Sequence, residues 1–339
     1  MNTLPTENVK SAPRQGYWHL VWRQFRRNKL AVVGLCVLAV LMGVAVFAPF
    51  LAGDKPIYLK MGNTTYLFPN VISYRDLVNF DFPSWEAGAG ERIVRPPIPF
   101  APERSDLLRK LEGPTADHWL GTDDRGRDVL SRMIWGTRIS MSVGFVAAGL
   151  AILIGIIIGA LAGYYSGWVD MVALRLIEIM LCFPTFILIL ALIAFLPPSI
   201  YNIMIVLGIT GWTGAARLVR GEFLKLRESD FVTAARATGL RNSRIIFRHV
   251  LPNALSPVFV TATFGVAGAI LTESALSFLG FGVPPPAPSW GELLSQSQRY
   301  VDFAWWLVTF PGAAIFITVT AFNLVGDGLR DAMDPRMRQ

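Results

Sequence analysis

The groups best able to hold a cation fall in one short run: Asp117, His118, Asp123, Asp124 and Asp128, four carboxylates and an imidazole within twelve positions. Arg125 and Arg127 interleave with them, and Arg132 and Arg138 follow. Such cations repel a metal ion and pair with the acids instead, so the spacing predicts a salt-bridged turn leading into an apolar run. Elsewhere the chemistry is sparse. His19, His118 and His249 stand far apart with no H-E-x-x-H pair, and no G-x-x-x-x-G-K-[ST] turn cradles a phosphate. Cys36 and Cys182 lie inside apolar runs, where they are expected to pack; they imply neither a disulfide framework nor a metal site. No catalytic residue, metal or cofactor is expected in this chain. Work done on a solute must then draw on ions or on another subunit.

A second set of ionisable residues sits within or near the apolar runs, where charge is costly and faces a bundle interior. Arg175 and Glu178 are three apart and share a helix face, so they can pair. Pro184 should kink the same helix. Glu273 falls toward the outer end of a later run. Structural pairing or interfacial placement is the expectation for each, with a solute-path role for Glu273 as the sharper alternative.

The elements that position these residues follow from hydropathy. Of 339 residues 53% are hydrophobic and only 16% charged, against roughly a quarter charged in soluble domains. Apolar runs of about 20 residues point to an all-α polytopic membrane protein. Six spans fit: 30–51, 140–164, 172–196, 201–218, 257–276 and 305–325. The first is too long for a signal peptide and reads as an uncleaved anchor. The fourth is short and interrupted by Gly208, Gly211 and Gly214.

Basic residues cluster at 1–29 (Lys10, Arg14, Arg23, Arg26, Arg27, Lys29), at 221–252 and at Arg330, Arg336 and Arg338, whereas 52–138 is balanced in charge. The positive-inside rule then places both termini and the 221–252 loop on the cytoplasmic side of the membrane. The net charge of +7 flanks spans instead of forming an aromatic-laced patch, which argues against nucleic acid. Four parts result: a cytoplasmic leader, 1–29; an anchor helix, 30–51; an external segment, 52–138; and a five-helix core, 139–339. In the external segment four prolines at 95–103 forbid a regular helix, and the stretches around Tyr58, Tyr66–Phe68 and Ile72–Tyr74 suit short strands.

The polar run Asp230–Asn253 lies between two spans. Asp230 can cap a helix through Thr238, with Gly239 in the left-handed position that ends it. Asn242 can cap a second helix ending before Pro252. On that helix Arg244 and Arg248 share one face, and Ile246 and Val250 point the other way. The result is a small amphipathic hairpin.

Ala234-Ala235-x-x-x-Gly239, followed by His249-Val250-Leu251-Pro252, resembles the E-A-A-x-x-x-G-x9-I-x-L-P loop of ABC importer permeases. Thr233 replaces the usual glutamate and His249 the usual isoleucine. His118–Arg132 with Gly136–Ser140, Glu273–Gly291 and Gly326–Pro335 are similar to stretches of oligopeptide/dipeptide/nickel-type permeases. Asp54-Lys-Pro and Tyr66-Leu-Phe-Pro69 are similar to the microcin C/peptide branch.

The resemblance implies a type I importer permease fold of six helices, with the external segment inserted between helices 1 and 2. It implies half of the transmembrane pathway of a binding-protein-dependent importer of peptides or similar solutes. The partners would be a second homologous permease, two cytoplasmic ATPase subunits that carry ATP and Mg, and an external solute-binding protein. Thr233, Ala234, Ala235, Gly239, His249, Leu251 and Pro252 would form the ATPase coupling site. An ion-coupled secondary transporter is the alternative, and it would need a midplane ion site and no ATPase.

Overall fold

Apolar composition over whole turns makes helices, and α2 (Lys29–Leu51) shows how one begins: the Asn28 side chain accepts the Ala31 amide at 3.1 Å. The computed structural model describes residues 17–333 apart from positions 79, 83, 86, 87, 89 and 90. Lys10, Arg14, Pro335, Arg336 and Arg338 lie outside the described residues. A short amphipathic helix, α1 (Tyr17–Phe25), precedes α2 and buries Val21 and Phe25 beside the chain's last helix.

After α2 the chain leaves the helical body for a three-stranded antiparallel sheet. β1 (Tyr58–Met61) lies between β2 (Thr64–Leu67) and β3 (Arg92–Val94). Its small core gathers Leu59, Leu77 and Phe82 with Tyr66, Tyr74 and Trp85. Two of the three expected strand stretches pair. Ile72–Tyr74 does not, because the chain turns there into a 3-10 turn (Arg75–Leu77) that plugs the sheet with Leu77. The proline run stays irregular, tied to α2 by a bridge from Ile98 to Ala52.

The core opens with α3 (Val129–Tyr165), which starts eleven residues before the expected span. Asp128 caps it through the Ser131 amide at 2.6 Å, and ion pairs stabilise its polar first turns in place of lipid. The next expected span is not one helix. α4 (Gly167–Cys182) and α5 (Thr185–Ala194) meet at 81° across Phe183-Pro184. Pro184 lacks an amide hydrogen and drives Phe183 into an extended conformation, so the expected kink is a break. α6 (Ile200–Thr210) runs into α7 (Trp212–Arg227), carrying the fourth span nine residues past Leu218.

Two short elements, α8 (Asp230–Ala237) and α9 (Asn242–Ile245), form the hairpin. A π turn (Ile246–Val250) then feeds directly into α10 (Leu251–Phe278). The second hairpin helix therefore does not stop before Pro252. The wider π turn takes up the ring that would strike a carbonyl four residues back, and 242–278 is one helical run of 37 residues. α11 (Trp290–Ser297) and α12 (Trp306–Met333) complete the chain.

Among the described residues five helical runs are long and apolar enough to cross a membrane, and the α4–α5 pair makes a sixth if its halves cross together. The centre of the bundle is α3 against α7. Gly155, Gly159 and Gly163, four apart on α3, let the backbones touch: a Cβ added at Gly159 would lie 2.5 Å from the Ala216 carbonyl oxygen. Cys36 and Cys182, expected to pack, are instead exposed on this chain's surface.

Candidate functional site

The hairpin begins where α7 ends. Ser229 precedes α8, so Asp230 is its first helical residue and not the expected cap; the Ser229 hydroxyl turns back to the Leu226 carbonyl at 2.5 Å. Thr233 likewise donates to the Ser229 carbonyl at 3.3 Å. α8 ends as expected: Gly239 has φ +75°, its amide bonds the Arg236 carbonyl, and the Leu240 amide reaches back to Ala235. Arg241, not Asn242, precedes the second helix. The Asn242 side chain accepts instead from the Tyr164 hydroxyl at 2.9 Å, tying the hairpin to the end of α3. Arg236 lies over the same Tyr164 ring, 5.6 Å from its centroid.

Burial divides the hairpin in two. Val232 and Ala235 sink into a cluster with Ala160 and Tyr164 of α3, Val219 and Phe223 of α7, and Val250, Ala254 and Val258 along the π turn and α10. Ile246 and Val250 are buried while Arg244 and Arg248 are exposed, the division expected; Ile245 is buried too. On the other face Phe231, Thr233, Ala234, Arg236 and Gly239 are open. Of the two nearby carboxylates, Glu228 is held by Arg227 at 3.0 Å, and Asp230 has no ion pair among the described residues. His249 and Leu251 are half-buried, and Pro252 is exposed. The sequence-predicted set thus runs from α8 through its closing turn and the π turn to the start of α10, and does not share one face.

At the opposite end of α3 the acidic run is a clamp. Asp123 accepts from Arg127 Nε at 2.7 Å, from Arg132, and from the amides of Arg125 and Arg127. Arg132 also reaches Glu292 of α11 at 2.6 Å, and Gln296 accepts from both arginines. His118 Nδ1 lies 2.9 Å from Asp128, and the exposed Asp117 meets Arg109 at 3.1 Å. Burial pushes the Glu292 and Asp128 carboxyls above their ordinary values; Arg132 opposes this at Glu292, and the Ser131 amide and His118 oppose it at Asp128. Burial lowers Arg127, with Arg132 beside it acting the same way. The carboxylates are occupied with arginines, histidine and amides, as the interleaving predicted.

Residues 151–339 match the family model described as binding-protein-dependent transport system inner membrane component. Residues 16–69 match the N-terminal TM domain of oligopeptide transport permease C. The chain belongs to this permease family. The permease is 40% identical to the dipeptide transport system permease protein DppC of Alkalihalophilus pseudofirmus, over 99% of this chain and 95% of that one. It is 35% identical to the oligopeptide permease OppC of Bacillus subtilis, over 95% and 90%. It is 34% identical to the glutathione permease GsiD of Pectobacterium atrosepticum, over 99% and 96%. An inward-facing structure of the MetNI methionine ABC transporter shares the fold, with TM-score 0.51 at 19% identity over 60% of this chain and 98% of that one. The permease is thus an inner-membrane component of an ABC importer, the transport subunit that works with ATPase and binding-protein partners.

The remaining expected residues take separate places. Arg175 and Glu178 pair at 2.7 Å, as their spacing allows, on the exposed face of α4. Pro184 stands at the α4–α5 break. Glu273 is fully buried, accepting from Ser277 at 2.7 Å and from Ser289 at 2.9 Å, and Ser289 in turn caps α11 at the Glu292 amide. It faces α11 and not an open groove. Sequence reasoning missed Ser289, Glu292 and Gln296; the S-x-x-E spacing of Ser289 and Glu292 was the available signal.

Proposed function

We propose that this permease forms half of the transmembrane pathway for peptides or similar solutes, driven by ATP hydrolysed elsewhere. The names of its relatives, which carry dipeptide, oligopeptide and glutathione, support the solute class. The other half is a second homologous permease. Two ATPase subunits that hold ATP and Mg dock on the cytoplasmic side, where both termini lie, and an external binding protein delivers solute. This chain holds no nucleotide. The open face of α8 with Thr233, Ala234 and Gly239 meets the ATPase; Ala235, His249, Leu251 and Pro252 fix that face to α10.

One observation carries the coupling role: Val232 and Ala235 share a buried cluster with α3, α7 and α10, while the opposite face of α8 is uncovered by this chain. Force on the open face therefore reaches three membrane helices through packed side chains, a physical basis for shifting between inward- and outward-facing populations. The test is purification from native membrane followed by reconstitution. ATPase subunits should co-elute, and vesicle uptake of peptide should require ATP on the hairpin side. Ion-driven uptake by the isolated chain would overturn the proposal.

A further inference from the structure

At the sheet end of the bundle a cavity of about 920 Å³ opens between the 101–104 strap, the stretch of α3 from Trp135 to Val146, the start of α6 and the loop before α11. Its lining carries two acids, Asp54 and Glu103, and two arginines, Arg104 and Arg138. None of the four makes an ion pair among the described residues, although nearly every neighbouring acid in the 117–128 turn does. Arg138 rests instead over the Trp135 ring, 5.9 Å from its centroid. Trp135 and Tyr201 supply aromatic walls, and Tyr201 is 71% exposed at the mouth.

We infer that this cavity is an entry site on the permease itself for a zwitterionic solute with an apolar body, a short peptide with both termini charged. The inference rests on the peptide reading above and deepens it. A planar guanidinium donates two parallel hydrogen bonds to a carboxylate, and Arg104 and Arg138 offer two such groups. Asp54 and Glu103 match an ammonium, which the exposed ring of Tyr201 also attracts. Unpaired charges of both signs, balanced in number, would leave a singly charged ion facing as much repulsion as attraction; a zwitterion satisfies both. The volume lies within the range of small-ligand pockets, and aromatic walls with a few polar groups are their usual make-up.

The test uses the complete importer in detergent without its binding protein, with trialanine as probe and saturation-transfer NMR as readout. Trialanine at millimolar concentration should give a transfer signal, and N-acetyl-trialanine amide, which has neither charge, should give little. The double variant R104Q/R138Q should lose at least fivefold of the signal, and R104K/R138K should recover part of it. D54N/E103Q should weaken trialanine while strengthening N-acetyl-trialanine, which keeps only the carboxylate and no longer faces the two acids. Size-exclusion elution of each variant complex checks assembly. No signal with the wild type, or equal signals from trialanine and its blocked amide, overturns the inference. ATP-driven trialanine uptake with the binding protein present is measured separately: uptake without a permease-bound signal overturns the entry site alone, and absence of all peptide uptake overturns the peptide reading.

Discussion

Thr233 commits its hydroxyl to the Ser229 carbonyl, so the negative charge left on the open face of α8 comes from Asp230. A charge-assisted hydrogen bond is worth about 1.5–3 kcal/mol, so D230N should weaken ATPase binding about tenfold or more. T233E on the D230N background should restore it, and titration of the purified permease pair with the ATPase measures both. Gly239 bears on the same joint differently. A Cβ there meets nothing within 4 Å, so the cost of substitution is the left-handed backbone alone, about 1–2 kcal/mol. G239V should leave the complex folded but misset the hairpin tip, lowering uptake several-fold and abolishing solute-stimulated ATP hydrolysis. Normal stimulated hydrolysis in G239V would sink the coupling role. The glycine was legible because only its conformation fits that spacing. The caps were misplaced by one residue, because Ser229 and Asp230 are similar caps locally, while the Asn242 side chain, locally the better cap than Arg241, is taken up by a tertiary contact from Tyr164.

The element on which most depends is α3, gripped at one end by the ion-paired clamp and along its length by α7. Removing one partner of a buried pair strands the others, so R132A should destabilise the clamp by about 3–5 kcal/mol, read as a lower melting temperature of the purified complex. Gly159 tests the other contact. Alanine favours a helix by about 1 kcal/mol over glycine, yet the Ala216 carbonyl leaves no room for a Cβ, and overpacking costs about 1–3 kcal/mol. G159A should therefore melt lower than the wild type; a higher melting point would mean the two backbones do not touch. Apolar length made this helix readable. Its true start was not, since the pairing of Arg132 with Glu292 spans 160 positions and leaves no local trace.

At the scale of the whole molecule, hydropathy and basic residues foretell the apolar spans and the hairpin between them, and β-prone residues foretell two of the strands. The break at Pro184 exceeds a kink because nothing in composition fixes an angle. Sidedness has a direct measurement. In a C36S/C182S background, L108C, at a 97% exposed position of the 52–138 segment, should react with a membrane-impermeant maleimide in intact spheroplasts. T238C on the hairpin should react only after lysis, and equal labelling would refute the assigned orientation. The π turn after α9 has a mechanical consequence. Because it lets helix continue through Pro252, the hairpin arm and α10 form one rod of 37 residues, about 55 Å long at 1.5 Å per residue. A tilt of about ten degrees around its middle would carry each tip about 5 Å, so a small rocking at the hairpin reaches Glu273 near the other end of the run, less what bending at Pro257 inside the helix absorbs.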